Sequence, residues 1–214
     1  MSEVVPTPPP RPPTTAETRA ASNRSRILAG LATALAEKGY AATTIADIAA
    51  AARVSRTTVY EQFAEKDLAL IGLYSDLADR ILDRLASGLL AQDTAVDWRV
   101  RLDGLIRVYL EAMADASAGE RLSLLEIASA GPRARLVRRE VLDRYSVGVS
   151  WLSQVFADAD PTARTLGPTL SLAIVGAINE LVLRAAEDGP DAVRALRGDT
   201  SEMIARLIAR PAGG

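Results

Sequence analysis

The sequence predicts an all-α fold, with a small N-terminal three-helix unit followed by a larger helical region. Three observations carry this expectation. From residue 22 onward apolar side chains recur at three- and four-residue spacing, and no stretch sustains the two-residue alternation of a half-buried strand. The interruptions carry helix punctuation, with Ser, Thr or Asp at starts and Gly or Pro at ends. At 214 residues and 49% hydrophobic, the chain can build a core that needs no covalent staples.

The elements follow in order. Residues 1–21, opening MSEVVPTPPPRPP, are expected to form an irregular tail, because proline cannot donate to a helix or a central strand. A first helix is expected from about Asn23 to Lys38, capped by Ser22 or Asn23, with Ile27, Leu28, Leu31 and Leu35 on one face and Gly39 as a left-handed stop. A second begins at Thr43 or Thr44, with Asp47 placed for a capping box and Ile45, Ile48 and Ala49 facing inward. Arg53-Val54-Ser55 breaks the pattern. Ser55 can cap a third helix, Thr57 to Phe63, that buries Val59 and Phe63. A fourth runs from near Glu65 through Leu68, Ile71, Tyr74, Leu77, Ile81 and Leu85, long enough to connect the first bundle to the rest.

Further helices are expected over residues 96–116, 119–130 and from Gly131-Pro132 to Phe156. Asp160-Pro161 suggests the start of a helix ending before Gly189-Pro190. Asp199-Thr200-Ser201-Glu202 suggests a final amphipathic helix through Met203, Ile204, Leu207 and Ile208. The expected organisation is a tail (1–21), a helix-turn-helix domain (22–68) and a helical domain (69–214).

Composition narrows the chemistry. With no cysteine and no histidine, the chain lacks disulfides, thiolate and imidazole metal ligands, cysteine nucleophiles and an imidazole base. The acidic residues are scattered as on exposed helix faces, so no enzyme activity, cofactor or metal is expected. A net charge of −2 excludes a generally basic nucleic-acid coat, so any such contact must be local; residues 1–70 carry eight basic against seven acidic residues. The N-terminus lacks the basic-then-apolar order of a secretory signal. Leu170–Leu183, the most apolar run, is interrupted by Ser171, Gly176, Asn179 and Glu180 and is shorter than the ~20 residues that span a bilayer, so a cytoplasmic protein without a membrane partner is expected.

Residues 39–68 have the parts of a helix-turn-helix: Ala49 to Ala52 permit close helix crossing, Val54 plugs the turn, and Arg56, Thr57, Thr58, Glu61 and Gln62 remain for an outward polar face. Such a face fits the ~12 Å major groove of DNA. The segment GYAATTIADIAAAARVSRTTVYEQFAEKDLAL, residues 39–70, resembles the N-terminal signature of the TetR (tetracycline-repressor) family. The matching features are Gly39-Tyr40, Thr43-Thr44, Ile48-Ala49, Val54-Ser55, Thr58, Tyr60, Phe63 and Lys66 followed by an acidic residue and Leu68. Ala52, Arg53 and Thr57 depart from the commonest pattern, with Ala52 placed where glycine is frequent before the turn. The resemblance ends near Leu70.

It implies a homodimeric transcriptional regulator that binds a palindromic or near-palindromic double-stranded operator and is released by a small-molecule effector. It also implies DNA contacts from Thr43, Thr44, Ser55, Arg56, Thr57, Thr58, Tyr60, Gln62 and Lys66, with Arg56 the best base reader because a guanidinium grips guanine O6 and N7 together. Thr44 and Lys66 lie at helix starts, where phosphate is favoured. Arg24 and Arg26 are candidates for backbone phosphate or the minor groove.

Beyond the motif, Trp98, Tyr109, Met113, Trp151 and Phe156 are candidate effector-lining residues, with plain core packing as the competing reading. Leu170, Ala173, Ile174, Ala177, Ile178 and Leu181, joined by Ile204, Leu207 and Ile208 of the last helix, are candidates for a dimer interface in a four-helix bundle. Arg133, Arg135, Arg138 and Arg139 read as a solvated helix face and are assigned no role. The alternative function is a helical small-molecule carrier or interaction module with a vestigial helix-turn-helix.

Overall fold

The computed structural model describes residues 14–211. In chain order the helices are α1 (Thr15–Ala42), α2 (Ile45–Ala52), α3 (Arg56–Gln62), α4 (Lys66–Leu90), α5 (Trp98–Asp115), α6 (Ala118–Glu126), α7 (Gly131–Ala159), α8 (Pro168–Ala185), α9 (Pro190–Ala195) and α10 (Arg197–Ile208). Among the described residues the only β-type pairing is an isolated bridge between Ala163 and Ala209.

α1 begins earlier than its sequence predicts. Thr14 and Glu17 form a reciprocal capping box, so residues 15–21 of the expected irregular tail are helical, while residues 1–13 lie outside the described part. The box satisfies the amides of Thr14 and Glu17, two of the groups left without intrahelical partners at the helix start, and Ser22 and Asn23 are interior. At its other end α1 is interrupted at Gly39 (φ +73°) and resumes for one turn before Thr43. α2 starts with the expected Thr44–Asp47 box, and Ser55 caps α3 by accepting from the Thr58 amide at 3.0 Å.

The α2–α3 turn corrects one expectation. The left-handed residue is Arg53 (φ 54°, ψ 47°), so the position that favours glycine is Arg53 and not Ala52. Ala52 is helical and buried, and the close approach in this corner is made by Gly30, where an added Cβ would stand 2.7 Å from the Ala52 amide nitrogen.

Two hydrophobic clusters build the core. The first joins Ile27, Leu31, Leu35, Ile48, Val59, Phe63, Leu70 and Tyr74, and it extends beyond the N-terminal helices to Ile127, Ala130, Ala134 and Val141 of the α6–α7 region. The second gathers Leu77, Ile81, Leu102, Met113, Phe156, Ile174, Val182, Ile204 and Ile208. α4 runs through both, and Leu124 and Tyr145 touch both, so the two halves share packed side chains, not a flexible linker.

The helix expected from Asp160-Pro161 does not form there. Asp160 instead accepts from the Thr162 amide at 2.8 Å, and the strip 162–164 pairs with the chain end through Arg164 N to Ile208 O (2.7 Å) and Arg210 N to Thr162 O (2.8 Å). α8 begins only at Pro168, at the favoured first position. The segment before the last helix adds α9, and α10 starts at Arg197, two residues before the expected Asp199.

Candidate nucleic-acid interface and effector cavity

The outward face of α3 is polar and exposed. Arg56, Thr57 and Tyr60 are exposed, Tyr60 at 54%, and none of the three is drawn into a side-chain hydrogen bond or ion pair. Gln62 is half-buried at the end of the same helix. Thr58 bonds Ser55 through the two hydroxyls at 2.9 Å, so this pair builds the start of α3 and presents Arg56 and Thr57. Arg53, which the sequence suggests only as a turn residue, is exposed just before this helix and adds a second positive charge to it.

Other sequence-predicted contacts hold the bundle together. Lys66 donates to the carbonyls of Tyr40 (2.8 Å) and Thr43 (2.9 Å) and lies over the Tyr40 ring, so its ammonium is committed to the end of α1. Arg26 donates to the carbonyls of Ala52 and Arg53 at 2.9 and 2.7 Å, closing the end of α2 where positive charge suits the helix dipole. Arg24 pairs with Asp76 at 3.3 Å and covers the Phe63 ring. Thr43 is buried with its hydroxyl on the Gly39 carbonyl at 2.7 Å. Unlike Arg56 and Tyr60, these four side chains have partners within the protein, although Arg26 remains exposed. Thr44 remains exposed, although its hydroxyl donates to Asp47 at 2.7 Å. Spacing alone cannot distinguish an arginine that reaches outward from one that closes a neighbouring helix.

Inside the second half a cavity of about 320 Å³ opens between α4, α5, α7, α8 and α10. Tyr109, Met113 and Trp151 line it, as do Ile81, Leu85, Ile106, Leu152, Ile174 and Ile178. Trp98 and Phe156 do not. Their rings pack against each other at 5.8 Å, with Arg101 over Phe156, in the core beside the cavity. Burial raises the hydroxyl pKa of Tyr109 and Tyr145 well above the usual phenol value, so both present neutral phenols.

The predicted dimer residues separate by face. On α8, Leu170, Ala173, Ala177 and Leu181 are exposed, while Ile174 and Ile178 turn inward to the cavity. On α10, Ile204 and Ile208 are also buried against the cavity and Leu207 is half-buried, because α10 packs its apolar side on α5. Met203 and Leu207 of the last helix stay half-buried, and on α7 Val147 is 68% exposed and Trp151 56%. Pro168–Asp188, α8 with its terminal 3₁₀ turn, spans 21 residues at mean hydropathy 1.5, long and apolar enough by length and composition to cross a membrane; this exceeds the shorter run expected from the sequence.

Residues 27–68 match the family model for bacterial regulatory proteins, tetR family. No curated protein matches the chain in sequence. Among solved structures, the fatty acid degradation regulator FadR from Bacillus halodurans is similar at TM-score 0.74 and 22% identity, covering 85% of this chain and 94% of that one. FadR from Bacillus subtilis, solved with stearoyl-CoA, is similar at TM-score 0.71 and 19% identity over 84% of this chain and 96% of that one. AibR, solved with isovaleryl coenzyme A and operator DNA, is similar at TM-score 0.64 and 17% identity over 89% of this chain and 100% of that one.

Proposed function

From the match of residues 27–68 to the tetR family of bacterial regulatory proteins, we infer that the chain is a member of that family and a sequence-specific DNA-binding transcriptional regulator released from its operator by a small molecule. The observation that carries this reading is the juxtaposition of an exposed, unpaired α3 face with an apolar cavity reached by the same α4 that supports α3. Arg56 supplies base reading, Thr57 and Gln62 flank it, and Tyr60 reaches a phosphate.

Two copies would pair through the exposed faces of α7 and α8, where Val147, Trp151, Ala173, Gly176, Ala177 and Leu181 leave apolar area and small residues for close helix approach. A lone protomer leaves this face in water. Pairing would set the two α3 helices about one DNA turn apart, ~34–36 Å, on a palindromic operator. An effector filling the cavity favours one arrangement of α4 over another, by no more than its differential affinity for the two. FadR and AibR hold acyl thioesters, and a ligand with an apolar chain suits the lining here.

The test is operator selection from random and genomic DNA with purified protein, repeated with Arg56→Ala. An enriched inverted repeat that is lost with Arg56→Ala is the expected result. Sequence-blind, purely salt-sensitive binding would reduce the interaction to phosphate attraction. Absence of DNA binding by folded, ligand-free protein would overturn the reading in favour of a carrier.

A further inference from the structure

The cavity wall carries a single charged side chain among the described residues, Arg138 of α7. Its neighbours on the same helix behave differently. Arg135 and Arg139 are exposed, and Arg139 faces Asp143 at 3.9 Å. Arg138 is half-buried and makes no hydrogen bond or ion pair with any described residue. Arg138 and Tyr74 line the same wall; burial pushes the Tyr74 hydroxyl up to about 12, and the positive field of Arg138 opposes that rise. Asp143 pairs with Arg139 and Asp79 with Arg144 at 2.9 Å, while Glu140, two residues after Arg138, is exposed.

An uncompensated guanidinium against an apolar surface is costly, and the cost is relieved when a ligand brings the missing anion. Arginine also offers a planar pair of N–H donors that matches a carboxylate or phosphate in bidentate fashion. Apart from the Asn179 amide and the hydroxyls of Tyr74, Tyr109 and Tyr145, the rest of the wall is aliphatic and aromatic. About 320 Å³ accommodates on the order of ten methylene-sized groups, taking roughly the 30 Å³ of a water for each.

We propose that the effector is a single-tailed amphiphile whose aliphatic chain fills this cavity and whose anionic head is held by Arg138. This deepens, and rests on, the reading of the cavity as the effector site. Arg138 lies between Ala134 and Val141, both members of the core cluster that contains the DNA-binding helices, so the charged end sits at the seam between the two halves. The same anion can come from a free aliphatic carboxylate or from the phosphates of an acyl-coenzyme A.

The experiment is calorimetric titration of the full chain with dodecanoate, 1-dodecanol, methyl dodecanoate and dodecanoyl-coenzyme A, on the unmodified protein and on Arg138→Gln and Arg138→Lys. The expected result is that at least one anionic ligand binds about tenfold or more tightly than the alcohol and the ester, as a charge-assisted hydrogen bond implies. Arg138→Gln should abolish that preference while leaving alcohol binding unchanged, and Arg138→Lys should retain part of it. Preference for dodecanoate assigns the carboxylate as the head, and preference for the thioester assigns the phosphates. Equal binding of acid, thioester, alcohol and ester, or an anion preference untouched by Arg138→Gln, overturns the proposal while leaving an apolar effector site in place. If no chain binds at all to protein that still binds its operator, the effector reading of the cavity falls with it.

Discussion

The Lys66 ammonium lies 4.2 Å from the centre of the Tyr40 ring and donates to the Tyr40 carbonyl at 2.8 Å, while the Tyr40 hydroxyl bonds Asp67, the next residue along α4. One aromatic residue after the Gly39 kink is thus held at both ends by consecutive residues of the connector helix. The contact ties the exit of α1 to the start of α4, the two points between which α2 and α3 lie.

Lys66→Met removes the charge and two hydrogen bonds to carbonyls but keeps the stem. The expected cost is about 2 kcal/mol, a fall in Tm of roughly 4–8 °C for a chain of this size. The slope of operator affinity against salt should stay unchanged. A slope reduced by about one would mean that Lys66 contacts phosphate instead.

Arg53 sits at φ 54°, where an L-residue is strained and glycine is not. Arg53→Gly should stabilise the chain by about 0.5–1 kcal/mol, since relief of the backbone exceeds the added freedom of the unfolded chain. Its carbonyl, which accepts from Arg26, is kept. Thermal melting should rise by a few degrees, and an unchanged or lower Tm would show that Arg53 makes a compensating contact.

A Cβ added at Gly119 would overlap the Ala32 backbone, standing 2.6 Å from its Cα and closer still to its carbonyl. α6 therefore approaches α1 at a distance only glycine permits. Gly119→Ala is expected to destabilise by about 1–3 kcal/mol through overpacking. Because α6 packs on both α1 and the connector α4, the same variant should also weaken effector-driven release from DNA, measured by fluorescence anisotropy.

Ala177→Arg places a charge on the exposed small-residue face of α8 without touching the buried Ile174 and Ile178. Sedimentation should change from dimer to monomer with the circular-dichroism helix signal retained. A dimer that survives Ala177→Arg and Leu181→Glu would put the interface elsewhere.

Asp47 is lowered from the ordinary 3.8 to about 2, first by its hydrogen bond to Lys38 and then by Thr44 at the α2 cap. A depressed folded-state value stabilises above the unfolded value and is lost as pH falls through the folded one. The difference in Tm between the unmodified chain and Asp47→Asn should therefore shrink steadily between about pH 4 and pH 2.

The sequence by itself determined the all-helical class, the caps at Thr44 and Ser55, the apolar seams of α1 and α4, and the helix-turn-helix with Arg56 on its outward face. These depend on spacing within one helix or one turn, which the residue order records directly. Tertiary structure decided which of several arginines and lysines were already occupied. Arg24, Arg26 and Lys66 find partners 23 or more residues away, beyond any local pattern. It also decided that Trp98 and Phe156 are core, that α10 turns inward, and that Arg138 alone among its neighbouring arginines lines the cavity. A helix face reads as apolar or charged from its own residues, but what it meets depends on how other helices pack on it, and that is set by the whole chain.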